Sequence, residues 1–265
     1  MKVLFFGDIV GERGLEALER ELPHLVRAHR PDFVVANAEN LDLTVPELGK
    51  AGMRPESLRR LLALGVDAVT GGNHSFDPPW AEEVLAHPRV LRPLNYARHA
   101  PGKGTLLLRK GERRLLVVNL AGRSALPQAN DPLEALEALL EGQEEVPILV
   151  DFHSESVFEK LGCAFLFAGR VAAVLGTHTH VPTQDARILP GGTAYVSDVG
   201  MVGPEGGFQG YAPGFLVEAL RRRLPPRGGA LRLAEGPVRL SYAVVELEGS
   251  RARGIFHVSE VLEEA

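Results

Sequence analysis

The chain has 265 residues, enough to bury a full core, and a single domain spanning 1–265 is the natural expectation. A formal net charge of −5 offers no electrostatic footprint for duplex nucleic acid or an acidic membrane surface, and no apolar stretch is long enough to span a bilayer. The single cysteine, Cys163, excludes an internal disulfide framework and reads as a small core residue between Gly162 and Ala164.

The opening apolar run is too short for a signal peptide, so Val3–Phe6 is predicted as the first strand of a cytoplasmic protein. Glu12–Arg30 is amphipathic, with Leu15, Leu18, Leu22, Leu25 and Val26 on one helical face. A second strand is predicted at Phe33–Ala36, a helix at Pro55–Leu64 and a short strand at Ala68–Thr70. The 39–54 segment mixes glycine with charge and is expected to act as a lid loop. A short helix over Pro79–Ala86 follows, then a hairpin of Leu106–Leu108 with Leu115–Leu120 around Gly111. Asp131 is placed to cap a helix over Pro132–Leu140. Strands Ile148–Val150 and Val171–Leu175 bracket a helix over Glu155–Phe167. The last third turns to β character at Arg187–Leu189, Thr193–Val196, Val238–Leu247 and Arg253–Val258. The Pro/Gly-rich stretches 201–214 and 225–229 read as surface loops that could serve a homo-oligomer interface. Early βαβ units followed by an antiparallel set imply a mixed sheet, or two stacked sheets with helices outside.

In parallel sheets, ligands collect beyond the carboxyl ends of the strands. Five successive strand ends here carry metal-capable side chains. They are Gly7-Asp8, Asn37-Ala38-Glu39-Asn40, Gly71-Gly72-Asn73-His74, Asp151-Phe152-His153 and Gly176-Thr177-His178-Thr179-His180. Each alone has an ordinary reading as a turn residue, a solvated carboxylate or a core histidine. All five at matching topological places point to one shared metal site. Mixed Asp, Glu, Asn and His donors do not suit an all-oxygen calcium cage, and the lack of cysteine ligands argues against a zinc knuckle. The donors are too many for one tetrahedral ion, so two ions sharing a carboxylate fit better. Iron, manganese and zinc all suit such donors.

This order of motifs resembles the calcineurin-like metallophosphoesterase superfamily and, within it, the YmdB-like bacterial phosphodiesterases. Gly7-Asp8-Ile9-Val10-Gly11 and Thr193 to Met201 resemble that subgroup, as does Asp151-Phe152-His153 followed by Glu155 and Lys160. The resemblance implies a four-layer α/β/β/α sandwich of two mixed β-sheets flanked by helices. It also implies hydrolysis of 2′,3′-cyclic or 3′,5′-cyclic nucleotides by metal-activated hydroxide attack on phosphorus. Carried over, Asp8 and His180 would hold the first metal, Asn73, His153 and His178 the second, and Glu39 would bridge. The superfamily's usual Asp-x-His is absent, because Val10 stands at the histidine position; Asn40 would replace that ligand through its oxygen. Iron or manganese is then favoured, with zinc as the alternative. His74 would protonate the leaving alkoxide, with Asp77 orienting it, and Asp198 would accept a proton from a ligand histidine. Two rival readings are a phosphomonoesterase or nucleotidase on the same scaffold, and a non-catalytic metal-binding regulator.

Overall fold

A computed structural model describes residues 1–142, 145–223 and 229–263. The first third builds strands that are buried on both faces. These are β1 (Lys2–Phe6), the short β2 (Asp8–Ile9) and, after helix α1 (Gly11–His29), β3 (Phe33–Asn37). Strands β4 (Asp42–Val45) and β5 (Lys50–Gly52) pair around a 3₁₀ turn at Pro46–Leu48. The 39–54 segment, expected as a loop, therefore carries a small hairpin. Helix α2 (Pro55–Ala63), β6 (Ala68–Thr70) and α3 (Ala81–Leu85) complete this part.

The second part opens with the expected hairpin, β7 (Thr105–Lys110) and β8 (Arg113–Ala121), turning at Gly111 with φ +58°. In α4 (Pro132–Leu140), Asp131 accepts from the N–H groups of Leu133 at 2.7 Å and Glu134 at 3.1 Å, as a cap should. Then come β9 (Ile148–His153), α5 (Val157–Leu166), β10 (Ala173–Thr177), β11 (Arg187–Leu189) and β12 (Thr193–Val196). The chain closes with β13 (Met201–Pro204), α6 (Pro213–Arg222), β14 (Val238–Glu248) and β15 (Arg251–Leu262).

Two mixed sheets result. One has the order β2-β13-β14-β1-β3-β6, with β15 on the other edge of β14; the other has the order β11-β12-β10-β9-β8-β7. The inner layer joins them through Val3, Phe5, Phe33 and Val245 on one side and Val117, Leu149, Leu175 and Val196 on the other. Outside the first sheet, Leu15, Leu18, Leu58, Leu61 and Val84 of α1 to α3 pack on Leu4, Phe6 and Val244. Outside the second, Leu136, Cys163 and Ala164 of α4 and α5 pack on Val118, Val150 and Val174. This is the α/β/β/α sandwich expected from the sequence.

Two expectations need correction, and a third falls largely outside the described residues. The 201–214 stretch is not all surface loop: Met201–Pro204 is a buried strand between β2 and β14, and α6 begins at Pro213. Glycine misled there, since a Cβ on Gly203 would meet Val10 Cβ at 2.7 Å, so the position needs glycine for close packing. In the 225–229 stretch, residues 225–228 lie outside the described residues. The apolar face of α1 is fully buried as far as Leu22; Leu25 is half-buried against the core, and Val26, in the last turn, is 37 % exposed.

Candidate metal centre

The five marked segments converge at the carboxyl ends of the two sheets. His153 ends β9, and its surroundings fix its role. Its Nδ1 lies 2.9 Å from Thr177 Oγ1, and the Thr177 hydroxyl donates its own proton to Asp151 Oδ1 at 2.6 Å. A hydroxyl has one proton, so Thr177 accepts from the ring and Nδ1 carries the hydrogen. Nε2 then faces the site. Around it stand Glu39 Oε1 at 2.8 Å, Asn73 Oδ1 at 3.0 Å and His178 Nδ1 at 3.0 Å. These are lone-pair atoms. Such a convergence requires positive charge, which a protonated ring or a metal ion provides. Among the described His, Cys, Asp and Glu residues, Glu39, His153 and His178 form the one group whose ligand atoms all lie within 4.8 Å of one another.

A second group lies beside it. His180 Nδ1 donates to the Gln209 carbonyl at 2.8 Å, which leaves Nε2 as the lone-pair nitrogen. That nitrogen is 3.7 Å from Asp8 Oδ1. Asp8 Oδ2 accepts from the His178 N–H at 3.0 Å, whereas Asp8 Oδ1 is buried with no hydrogen-bond partner. An orphaned buried carboxylate oxygen among imidazoles is a donor set that fits a divalent cation.

Close packing explains the glycines. A Cβ on Gly72 would sit 2.3 Å from Glu39 Oε2 and from His153 Nε2, and one on Gly7 would meet the Gly200 carbonyl at 1.8 Å. Glu39 Oε2 accepts from the His74 N–H at 2.9 Å, which ties the carboxylate to the β6 loop.

The Gly-Thr-His-Thr-His turn is strained. His178 has φ +102° and His180 φ +63°, both unusual for residues with a side chain. Between them the Thr179 N–H donates to Asp198 Oδ2 at 3.0 Å, and Lys160 Nζ reaches the same oxygen at 2.9 Å. Asp198 was expected to serve a ligand histidine directly. It instead holds the backbone between the two histidines, and Lys160 supplies its countercharge.

Asn40 also departs from expectation. Its Nδ2 lies toward Glu39 Oε1 (3.2 Å) and His180 Nε2 (3.3 Å), while its Oδ1 accepts from the buried Tyr211 hydroxyl at 2.8 Å. Both site-facing neighbours are acceptors, so the amide nitrogen faces them and the oxygen turns away. His74 is oriented as expected, with Nδ1 2.6 Å from Asp77 Oδ2. Asp77 is held in turn by Lys50 Nζ at 3.0 Å and the Ala51 N–H at 3.3 Å, both from β5.

The site's electrostatics follow from burial and proximity. Burial works to lower the His153 pKa, but the Glu39 charge and hydrogen bond outweigh it and lift the ring to about 9. His178 goes the other way: burial, then the neighbouring His153, push it down to about 3. Burial raises Asp8. Burial also acts to raise Glu39, but the His153 charge outweighs it and holds the carboxyl below its ordinary range. Burial pushes Asp151 up to about 6 despite donation from Thr177, Thr70 and Asn37. Burial opposes protonation of His74, yet Asp77 wins and the ring is raised.

A family model for YmdB-like proteins matches residues 4–258. The chain belongs to the YmdB-like family. It is 37 % identical over 258 residues to a Bacillus subtilis protein named 2′,3′-cyclic-nucleotide 2′-phosphodiesterase, covering 96 % of this chain and 94 % of that one. A Thermus thermophilus protein described as hypothetical has the same fold, with TM-score 0.89, 39 % identity and coverage of 98 % and 99 %. A Mycoplasma pneumoniae structure described as a novel phosphatase gives TM-score 0.89 at 28 % identity, covering 98 % and 93 %. A Thermus thermophilus 5′-nucleotidase precursor, at 15 % identity and TM-score 0.54, shares the fold over 54 % of its own length. This YmdB-like chain is therefore an enzyme, a hydrolase.

The sequence did not announce the supporting roles of Thr177, Asn37, Thr70, Gln209 and Tyr211 behind the candidate ligands. Thr177 was open to inspection, because β10 runs parallel to β9 and pairs Thr177 with His153. Tyr211 and Gln209 come from the Pro/Gly-rich 201–214 stretch, whose pattern marks a loop and says nothing of its reach to the site.

Proposed function

We propose that this chain is a dinuclear-metal phosphodiesterase acting on 2′,3′-cyclic or 3′,5′-cyclic nucleotides. The observation that carries the reading is the convergence of Glu39, Asn73 and His178 on His153 Nε2, beside the orphaned Asp8 oxygen. The name of the Bacillus subtilis relative supports the substrate class. Asp8, Asn40 and His180 would hold one ion, Asn73, His153 and His178 the other, and Glu39 both. Asn40 would present its oxygen by a half-turn of the amide, with the Tyr211 hydroxyl then accepting from its nitrogen. Mixed nitrogen and oxygen donors favour iron or manganese, with zinc as the alternative.

When bound, the ions supply positive charge that acidifies a water and offsets charge building on the phosphate oxygens. The protein's own groups do the rest. Thr177 and the Gln209 carbonyl fix the tautomers of His153 and His180 so that Nε2 faces inward. His74, steadied by Asp77, protonates the leaving alkoxide. The β4–β5 hairpin acts as the lid: Lys50 and Ala51 hold Asp77, so the lid also steadies the acid.

A phosphomonoesterase is the second reading, and the name of the Mycoplasma pneumoniae relative favours it. Steady-state rates on 2′,3′-cyclic AMP and on AMP separate the two. Faster ring opening of the cyclic substrate is expected. Faster phosphate release from AMP would overturn the diesterase reading.

A further inference from the structure

The segment between β6 and β7 places an aromatic pair beside the acid His74. Phe76 lies two residues after His74 and directly before Asp77, and its ring stands 4.5 Å from that of Tyr96, tilted by 50°. Phe76 rests against the core of the first sheet. Tyr96 is half-buried, and its hydroxyl has no hydrogen-bond partner among the described residues. Burial first, then the Asp77 and Glu39 charges, raise the pKa of that hydroxyl, so the phenol lies within the field of the metal centre's carboxylates. The loop that carries Tyr96 is held in one shape by two buried polar side chains. Arg92 has no carboxylate partner among the described residues. A buried guanidinium must find acceptors, and here they are the loop's own carbonyls. Arg92 donates to Pro93 at 2.8 Å and Leu94 at 3.2 Å at one end, and to Ala100 and Pro101, both at 3.4 Å, at the other. Asn95 donates to the Ala121 carbonyl at 2.7 Å and the Asn130 carbonyl at 2.8 Å, and accepts from the Ala121 N–H at 3.0 Å. Ala121 ends β8 and pairs with His153, so Tyr96 is fixed between the acid's loop and the strand end beside a candidate ligand.

We infer that Tyr96, backed by Phe76, is the platform on which the nucleobase of the substrate stacks, an assignment that rests on the cyclic-nucleotide diesterase reading with His74 as acid. Opening a 2′,3′-cyclic phosphate forms a P–O bond from water and breaks the P–O bond to one ribose oxygen, and that oxygen takes the proton from His74. The acid therefore stands on the nucleoside side of the phosphorus. The base hangs from C1′, next to C2′, so it lies on that same side, a sugar ring away from His74. The Phe76–Tyr96 pair occupies this position. Stacking suits a platform that must take more than one base, because every base has a π-face. A tyrosine gives a large flat contact with only two rotatable bonds, and a loop already tied at both ends loses little freedom when the base arrives. The unpartnered Tyr96 hydroxyl leaves a hydrogen-bonding group at the edge of the platform.

Steady-state kinetics of the full chain on two substrates test this. One is 2′,3′-cyclic AMP; the other is 1-O-methylribose 2′,3′-cyclic phosphate, which has the same reacting ring and no base. The wild type should favour cyclic AMP in kcat/KM by about 5–150-fold, chiefly through KM, since stacking holds the ground state and the transition state alike. Tyr96→Ala should lose that preference and keep the wild-type rate on the base-free substrate. Tyr96→Phe, which retains the ring, should keep the preference. Tyr96→Leu, which still covers Phe76 but has no π-face, should lose most of it. An equal fall on both substrates in Tyr96→Ala and Tyr96→Leu would overturn the platform and make Tyr96 a support for His74 and Asp77. An unchanged preference in Tyr96→Ala would overturn it as well. Both of those results leave the diesterase reading standing. A wild type that opens neither ring, yet releases phosphate from AMP, would overturn that reading and the platform with it.

Discussion

Replacing Thr177 by valine keeps the shape of the side chain and removes one hydroxyl. That hydroxyl donates to Asp151 Oδ1 at 2.6 Å and accepts from His153 Nδ1 at 2.9 Å, and all three residues are buried. Valine opens no cavity, so the loss is polar. A hydrogen bond to a buried carboxylate contributes about 1.5–3 kcal/mol, and leaving the imidazole N–H without an acceptor costs about 1–3 kcal/mol. The sum, about 2.5–6 kcal/mol, corresponds to a fall in Tm of about 5–24 °C for a chain of this size. The same change frees the His153 ring to rotate or take the other tautomer, so Mn²⁺ affinity should fall about 10–100-fold. Thermal unfolding of the metal-free protein and chelator competition for Mn²⁺ measure the two effects separately. Thr177→Ser, which keeps the hydroxyl, should recover most of both. A valine variant that melts within about 2 °C of wild type and binds Mn²⁺ equally well would refute the reasoning, because the hydroxyl would then not be setting the ring.

Further outcomes follow from the same geometry. Glu39→Gln should lower occupancy of both metal ions, as read by elemental analysis; loss of only one would argue against bridging. His74→Ala should retain metal but lose about 10²–10⁴-fold in kcat, and unchanged turnover on 2′,3′-cyclic AMP would reject its role as acid. Glu159 gives a stability signal with a defined sign. Burial acts to raise its pKa, but the hydroxyls of Ser124 and Ser154 and the Arg123 and Ser124 amides more than offset this, so the folded value lies below 4.5. Its contribution is therefore complete above about pH 4.5 and is lost as pH falls through the lowered value. Glu159→Gln should be less stable at pH 7 and show a shallower loss on acidification. Equal acid slopes for the two proteins would contradict that assignment.

Much of the fold was legible because local signals agreed with the tertiary result. The continuous apolar run of β1, the Asp131 cap and the Gly111 hairpin each carry their cause within a few residues. The strand ends were legible for the same reason: a metal-type side chain occurs where each strand stops, beside glycine at three of the five, Gly7, Gly71-Gly72 and Gly176. What escaped the sequence depends on distant partners. Gly203 and its neighbours form a buried strand because Val10 packs against them, and nothing near position 203 announces this. Tyr211 reaches Asn40 across 171 positions and sets which end of that amide faces inward. Asp198 lies 38 positions from Lys160, so its service to the Thr179 backbone emerged only in three dimensions.

The claim on which the rest depends is that Asp8, Glu39, Asn40, Asn73, His153, His178 and His180 together hold two metal ions. Anomalous diffraction at the iron, manganese and zinc edges, on crystals of the protein as purified, tests it directly. Two peaks are expected, one beside Asp8 and His180 and one beside His153 and His178, with Glu39 within bonding distance of both. A single peak, or ions held by other residues, would contradict the dinuclear account.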